Sequence, residues 1–177
     1  APDAVVTEST AVTLAAALVR FDQLADPQDS DGVRWHARLG DERRSMDSLA
    51  KTLGEALDRD LQPLTTTQQE AIRPYLDRYR ARVAASDARL IGWSRRLDES
   101  VARVEGLRKR LGASLDQAGG TPSETALLEL SATLKDYAAL VSPDDAKLAV
   151  WSARLRAERE SIDADRAVLT KLEQLPA

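Results

Sequence analysis

Apolar side chains recur at Ile72, Leu76, Tyr79, Val83, Leu90, Trp93 and Leu97, in steps dominated by threes and fours. That is the roughly 3.5-residue rhythm of a helix–helix seam. The seam continues at Val101, Val104, Leu111 and Leu115, and the successive steps Trp93–Leu97–Val101 make a stutter, which locally unwinds a supercoil. The pattern predicts one long central helix over 64–118. Threonines 65–67, followed by Gln68, Gln69 and Glu70, supply its capping chemistry, and Gly119-Gly120 its stop. Pro74 falls in the first turn of the main helix, after a short leading turn, or kinks it. At about 1.5 Å per residue such a helix is on the order of 75–80 Å long. A compact domain of this size is roughly 30–40 Å across. The expectation is therefore an elongated, rod-like molecule.

Four further helices follow from the same reading. The first, over 3–25, has a seam of Ala11, Leu14, Leu18, Phe21 and Ala25, and the linker from Asp26 to Gly32 stops it. The second, over 31–60, places Trp35, Leu39, Met46, Leu49, Leu53 and Leu57 on one face, with an apolar layer missing near Glu42 and Arg43. After Gly119-Gly120, Thr121-Pro122-Ser123-Glu124 reads as cap, first-turn proline and glutamate, and Ser142-Pro143-Asp144-Asp145 repeats that chemistry. The last two helices carry Leu127, Leu130, Leu134, Tyr137 and Val141, then Leu148, Trp151, Leu155, Ile162, Leu169 and Leu172. The fold class is all-α: an elongated bundle of about five helices. Two helices over 1–63 and two over 119–177 form two three-helix bundles that share the central helix 64–118. An ordinary four-helix bundle with one broken helix is the alternative.

Charge changes this picture little. The 177 residues carry 25 Lys/Arg and 29 Asp/Glu, a net −4, which leaves no electrostatic footprint for nucleic-acid binding. The segment 64–118 holds 11 basic and 7 acidic residues, so it is +4 and the remainder −8. A basic central helix against acidic neighbours explains that asymmetry, as does a cationic groove for an anionic ligand. There is no cysteine, hence no disulfide and no thiolate chemistry. No stretch approaches the roughly 20 apolar residues of a membrane span. The chain begins Ala1-Pro2-Asp3, as a mature exported protein or an excised domain would, which favours a periplasmic or otherwise exported location.

Candidate chemistry is sparse. The acidic linker before Gly32 fails as a calcium loop, because its first ligand position falls on Pro27 and its closing glutamate on Arg38. His36 is the lone histidine, without a second His or a Cys to build a transition-metal site. No Gly-x-Ser-x-Gly elbow or phosphate-binding glycine loop exists. These observations predict neither enzymatic activity nor a cofactor. The polar seam interruptions remain. Arginine inside a helical bundle is costly unless paired or bound to an anion. Glu42 and Arg82 are expected to pair and fix register. The alternative is a small-anion pocket formed by Arg43, Arg82 and Arg89, with Trp35 and Trp93 as core residues or as its walls.

Leu64-Thr65-Thr66-Thr67-Gln68 followed by Ile72-Arg73 resembles the LTxxQ motif of Spy-type periplasmic chaperones, and Val141-Ser142-Pro143-Asp144-Asp145 is a looser echo. That resemblance implies a dimeric, exported, ATP-independent holder of unfolded clients. The single methionine and the very long following helix depart from such a cradle. Three functional expectations result. The first is a non-catalytic helical binding or scaffold module that engages a protein partner or a second copy of itself. The second is an extracytoplasmic sensor domain, of chemoreceptor or histidine-kinase type, binding a small organic anion. The third is the Spy-like chaperone.

Overall fold

A computed structural model describes residues 6–26, 29–59, 62–116 and 122–173. The described residues contain helices and no strand: α1 (Glu8–Asp22), α2 (Ser30–Leu57), α3 (Thr66–Arg80), α4 (Ala88–Leu115), α5 (Glu124–Ala138) and α6 (Ala146–Glu173). The chain is all-α as expected, with six helices rather than five.

The long helix over 64–118 is replaced by α3 and α4. Val83 keeps the apolar rhythm across the break, which is why the pattern reads as continuous. The backbone leaves the helix because local partners are better satisfied in a turn. Arg82 N–H donates to the Tyr79 carbonyl and Asp87 N–H to that of Ala84, each at 2.9 Å. The Asp87 carboxylate then accepts the Leu90 N–H at 2.8 Å, capping α4. Pro74 lies inside α3 rather than in the first turn of a longer helix.

Other boundaries move for the same reason, since a side-chain acceptor decides where each helix starts. Asp29, not Asp31, caps α2 by accepting from Asp31 and Gly32 at 3.0 Å. Ser123 caps α5 by accepting from Ala126 at 3.2 Å, so Pro122 precedes the helix instead of opening it. Asp145 accepts from Leu148 at 2.9 Å at the head of α6. The expected stop at Gly119-Gly120 and cap at Thr121 lie outside the described residues.

The helix lengths expose an organisation that the seam analysis missed. They run 15, 28, 15, 28, 15 and 28 residues. Each start lies 58 residues after its counterpart: 8, 66 and 124 for the short helices, 30, 88 and 146 for the long ones. The chain is three tandem repeats of a short helix and a long helix. Shared positions follow the same spacing: Thr7, Thr65 and Ser123 before the short helix; Leu18, Leu76 and Leu134; Phe21, Tyr79 and Tyr137; Asp29, Asp87 and Asp145; Trp35, Trp93 and Trp151; Leu39, Leu97 and Leu155. The stretch 64–68, which resembles LTxxQ, is thus the head of the second repeat, in register with the caps of α1 and α5.

Two compact units divide the chain, one comprising 1–62 and 68–98, the other 63–67 and 99–177. In the first, Leu53, Leu57 and Leu76 are each 1% exposed. In the second, Val104, Leu107, Leu111 and Leu115 of α4 form one core with Leu127, Leu134, Tyr137, Trp151 and Leu155 of α5 and α6. In each unit the aromatic of the short helix meets the tryptophan of its long helix edge to face, at 5.1 Å for Tyr79–Trp93 and 5.5 Å for Tyr137–Trp151.

Candidate docking groove

The repeat defines what each tryptophan is built to meet. Trp93 of α4 donates its indole N–H to Asp58, just past the end of α2, at 2.8 Å. Trp151 of α6 does the same to Asp116, just past the end of α4, also at 2.8 Å. Gly54 and Gly112, one turn before each aspartate, leave room for the aspartate side chain: a Cβ there would lie 3.2 Å from its carboxylate oxygen, and at an ordinary contact distance of 3.9 and 3.8 Å from the indole. The arginine three residues after each tryptophan reaches the same incoming segment. Arg154 donates to the Leu115 carbonyl, and Arg96 to that of Gln62 at 3.3 Å. The Arg154 contact satisfies a helix-terminal carbonyl that lacks an intrahelical partner. Lys147 adds an ion pair to Asp116 at 2.9 Å. Its charge and the two donors hold the Asp116 carboxyl below the ordinary carboxylate range, the Lys147 bond first and the Trp151 bond second.

The first repeat has the socket without the occupant. Phe21 and Trp35 meet edge to face at 5.2 Å, as in the other repeats. Yet Trp35 is 41% exposed, against 4% for Trp93 and 0% for Trp151. Beside it lies an open cavity of about 530 Å³ lined by Leu14, Leu18, Phe21, Trp35, Arg38 and Leu39, among others. In the third repeat, 116 residues on, the equivalents Leu130, Leu134, Tyr137, Trp151 and Leu155 are covered by Val104, Leu107, Leu111 and Leu115 of α4. Val12, Leu14, Val19 and Val33 extend the exposed apolar surface of α1 and α2.

A second cavity, of about 300 Å³, brings Arg43 and Arg89 together with Tyr79, Met46, Glu8, Glu42 and Asp47. Two of the three arginines expected at an anion pocket therefore share one space. Arg82 does not line it; its Nη1 donates to the Arg78 carbonyl at 3.0 Å rather than to Glu42, and its backbone carbonyl accepts from Glu8 at 2.7 Å. Arg89 also bonds the Tyr79 hydroxyl, whose pKa burial pushes up. With three carboxylates against two guanidinium groups, the lining does not favour an anion by charge. His36 pairs with Asp22 at 2.9 Å on the surface. Among the described residues, no group of three or more His, Asp or Glu side chains is placed to hold a metal, and no helix is long and apolar enough to cross a membrane.

Asp58, Asp116 and the groove beside Trp35 escaped the seam reading. The signal was present in the spacing of the three tryptophans, which are 58 residues apart. Family models, curated proteins and solved structures were compared with this chain, and none of them matches it.

Proposed function

We propose that this chain is a non-catalytic helical scaffold that engages a protein partner through the groove between α1 and α2. The single observation that carries the reading is the exposed Trp35 beside an unfilled apolar cavity, at a position that the other two repeats bury. Burying apolar surface stabilises association by roughly 25 cal/mol per Å² before the costs of binding. Aromatic residues at the centre of a pocket are the usual anchors of such interfaces. Tandem helical hairpins suit this role, because stacked repeats present extended surfaces for binding.

The test is affinity capture on the full chain and on Leu14→Asp, a change at a 44%-exposed position that leaves the helix intact. Circular dichroism establishes that the variant is folded. A partner enriched on the wild type and lost from Leu14→Asp supports the reading. Identical capture by the two proteins, or no specific capture by either, overturns it.

A further inference from the structure

The groove of the first repeat has a defined occupant. Resting on the binding role just proposed, we infer that it receives the C-terminal end of a partner protein's amphipathic helix bearing the pattern Leu-Gly-x-x-Leu-Asp.

The chain twice shows what this socket accepts. In α2 the segment is Leu53-Gly54-Glu55-Ala56-Leu57-Asp58, and in α4 it is Leu111-Gly112-Ala113-Ser114-Leu115-Asp116. The two leucines are buried in both cases, at 1% exposure for Leu53 and Leu57, 0% for Leu111 and 3% for Leu115. Each has a further apolar residue one turn earlier, Leu49 and Leu107. The glycine gives the aspartate carboxylate room to fold back along the helix, and the aspartate accepts the indole N–H. Five partners of this arrangement have their counterparts around the open groove: Leu18 for Leu134, Phe21 for Tyr137, Trp35 for Trp151, Leu39 for Leu155, and Arg38 for Arg154, while Ala11 and Gly32 stand in place of Leu127 and Leu148 and leave the groove wider.

Charge complementarity points the same way. A helix C-terminus carries a partial negative charge and unpaired carbonyls. Arg38 lines the cavity where Arg154 meets the end of α4, and the Trp35 N–H stands where a carboxylate is received. One position differs: Asp31 replaces Lys147 and pairs with Arg34 at 3.0 Å. The added ion pair of the third repeat is therefore not reproduced. In the second repeat the counterpart of Lys147 is Arg89, and Asp58 still accepts the Trp93 indole N–H at 2.8 Å.

A second copy of the chain is a poor occupant by the same criterion. At the end of α6 the register that reads Leu49, Leu53, Gly54, Leu57 and Asp58 in α2 reads Asp165, Leu169, Thr170, Glu173 and Gln174. Four of these five positions lose the matching side chain. Polar residues thus stand along α6 and just after it where α2 and α4 carry the docking leucines and glycine, while the groove beside Trp35 keeps an apolar receiving surface.

The probe is a capped peptide with the sequence of residues 101–117 in which Gly106, on an exposed face, is replaced by alanine to favour helix. It is titrated into the full chain while the three indole N–H signals are followed by ¹H–¹⁵N NMR, with Trp35 assigned by Trp35→Phe. The expected result is a saturable shift of the Trp35 signal alone. A peptide carrying Leu115→Asp and Asp116→Ala should bind at least about tenfold more weakly, since it loses both a buried leucine and the indole acceptor. Because a free peptide must also fold, a second protein is made with residues 5–62 duplicated ahead of Val5. There the original Trp35, followed with the copied tryptophan changed to phenylalanine, should become protected from acrylamide quenching.

An unmoved Trp35 signal together with an unprotected tryptophan in the extended protein overturns the inference. So does concentration-dependent dimerisation of the unmodified chain that protects Trp35, which would make the occupant a second copy. If Leu14→Asp abolishes capture of a partner yet the peptide and the duplication both fail, the binding role stands and the assigned occupant falls.

Discussion

Asp116 accepts the indole N–H of Trp151 at 2.8 Å, and the Asp58–Trp93 pair repeats that bond at the same length 58 residues earlier. The pair joins the end of one long helix to the first turns of the next, so it ties neighbouring repeats rather than residues within one. It also explains two sequence features at once. Glycine recurs at 54 and 112 because the aspartate side chain folds back past that position to reach the ring. Arginine recurs at 96 and 154, where it donates to a backbone carbonyl of the incoming segment, that of Gln62 in the linker after α2 and that of Leu115 at the end of α4.

This pair makes the second unit acid-sensitive. The bonds from Lys147 and Trp151 lower the pKa of Asp116 from its ordinary value of 3.8. A carboxyl whose pKa is depressed on folding contributes stability that is complete above the unfolded value and is lost as pH falls through the folded one. Asp116→Asn keeps an acceptor for the indole but gives up the charge facing Lys147. Its urea midpoint should lie below that of the wild type at about pH 6, and the difference should shrink by about pH 2.5. A constant difference across that range would show that the charge plays no part.

Glycine substitutions should separate by position. A Cβ at Gly106 meets nothing within 4 Å, so Gly106→Ala should gain helix propensity, about 0.5–1 kcal/mol. At Gly112 the same Cβ comes within 3.2 Å of Asp116 and 3.8 Å of Trp151. Gly112→Ala should gain less or lose stability, and it should shift the Trp151 indole N–H signal, which Gly106→Ala leaves in place. Denaturant titration and NMR of the two variants check this.

How much of this was legible depended on which physical signal was read. Helix periodicity is a local property, and it located buried positions such as Leu53 and Leu57 in α2 and Leu111 and Leu115 in α4, while it passed over buried Leu107 and included exposed Leu169. It failed at Val83, which kept the rhythm alive through a turn closed by the hydrogen bond that the Leu90 N–H donates to the Asp87 carboxylate. Periodicity carries no information about such a cap, but the same aspartate at 29 and 145 does. Comparing the chain with itself at a 58-residue offset would have placed all three turns. Arg43 and Arg89 line a cavity with Glu8, which comes from α1 and which the alignment of α2 with the central seam omits. The groove was the least visible feature. Leu14, Phe21 and Trp35 look the same in sequence whether covered or open; only the buried counterparts elsewhere in the chain show that something is missing.

Tyr137 gives an alkaline counterpart to Asp116. Burial raises its pKa above 10.0, against the opposing effect of the Arg108 bond. A folded pKa above the unfolded one means stability that is intact below the unfolded value and lost as pH rises through the folded value. Tyr137→Phe removes the 3.2 Å bond from Arg108 and the 3.3 Å bond to Asp145. It should cost about 1 kcal/mol near neutrality. Between about pH 9.5 and 11.5 its stability should decline less steeply than that of the wild type, with Tyr79 still contributing a similar raised pKa. Urea titrations across that range, on both proteins, measure the difference.

The sharpest contrast lies between two tryptophans at equivalent positions. Trp151 is fully buried, stacks edge to face on Tyr137 and donates to Asp116. Trp151→Ala removes the ring, leaves a cavity among Leu111, Leu115 and Leu155, and strands the aspartate's acceptor. Changes of that kind cost about 3–5 kcal/mol. Trp35 has the same aromatic neighbour in Phe21 but is 41% exposed beside the open groove. Trp35→Ala should therefore cost about 1 kcal/mol or less, the worth of an aromatic pair at a surface. Equal losses for the two variants, measured by denaturant unfolding of the isolated chain, would mean that the first repeat is as closed as the third. A small loss at Trp35, together with abolished partner capture, is the outcome expected of a side chain kept for binding rather than for folding.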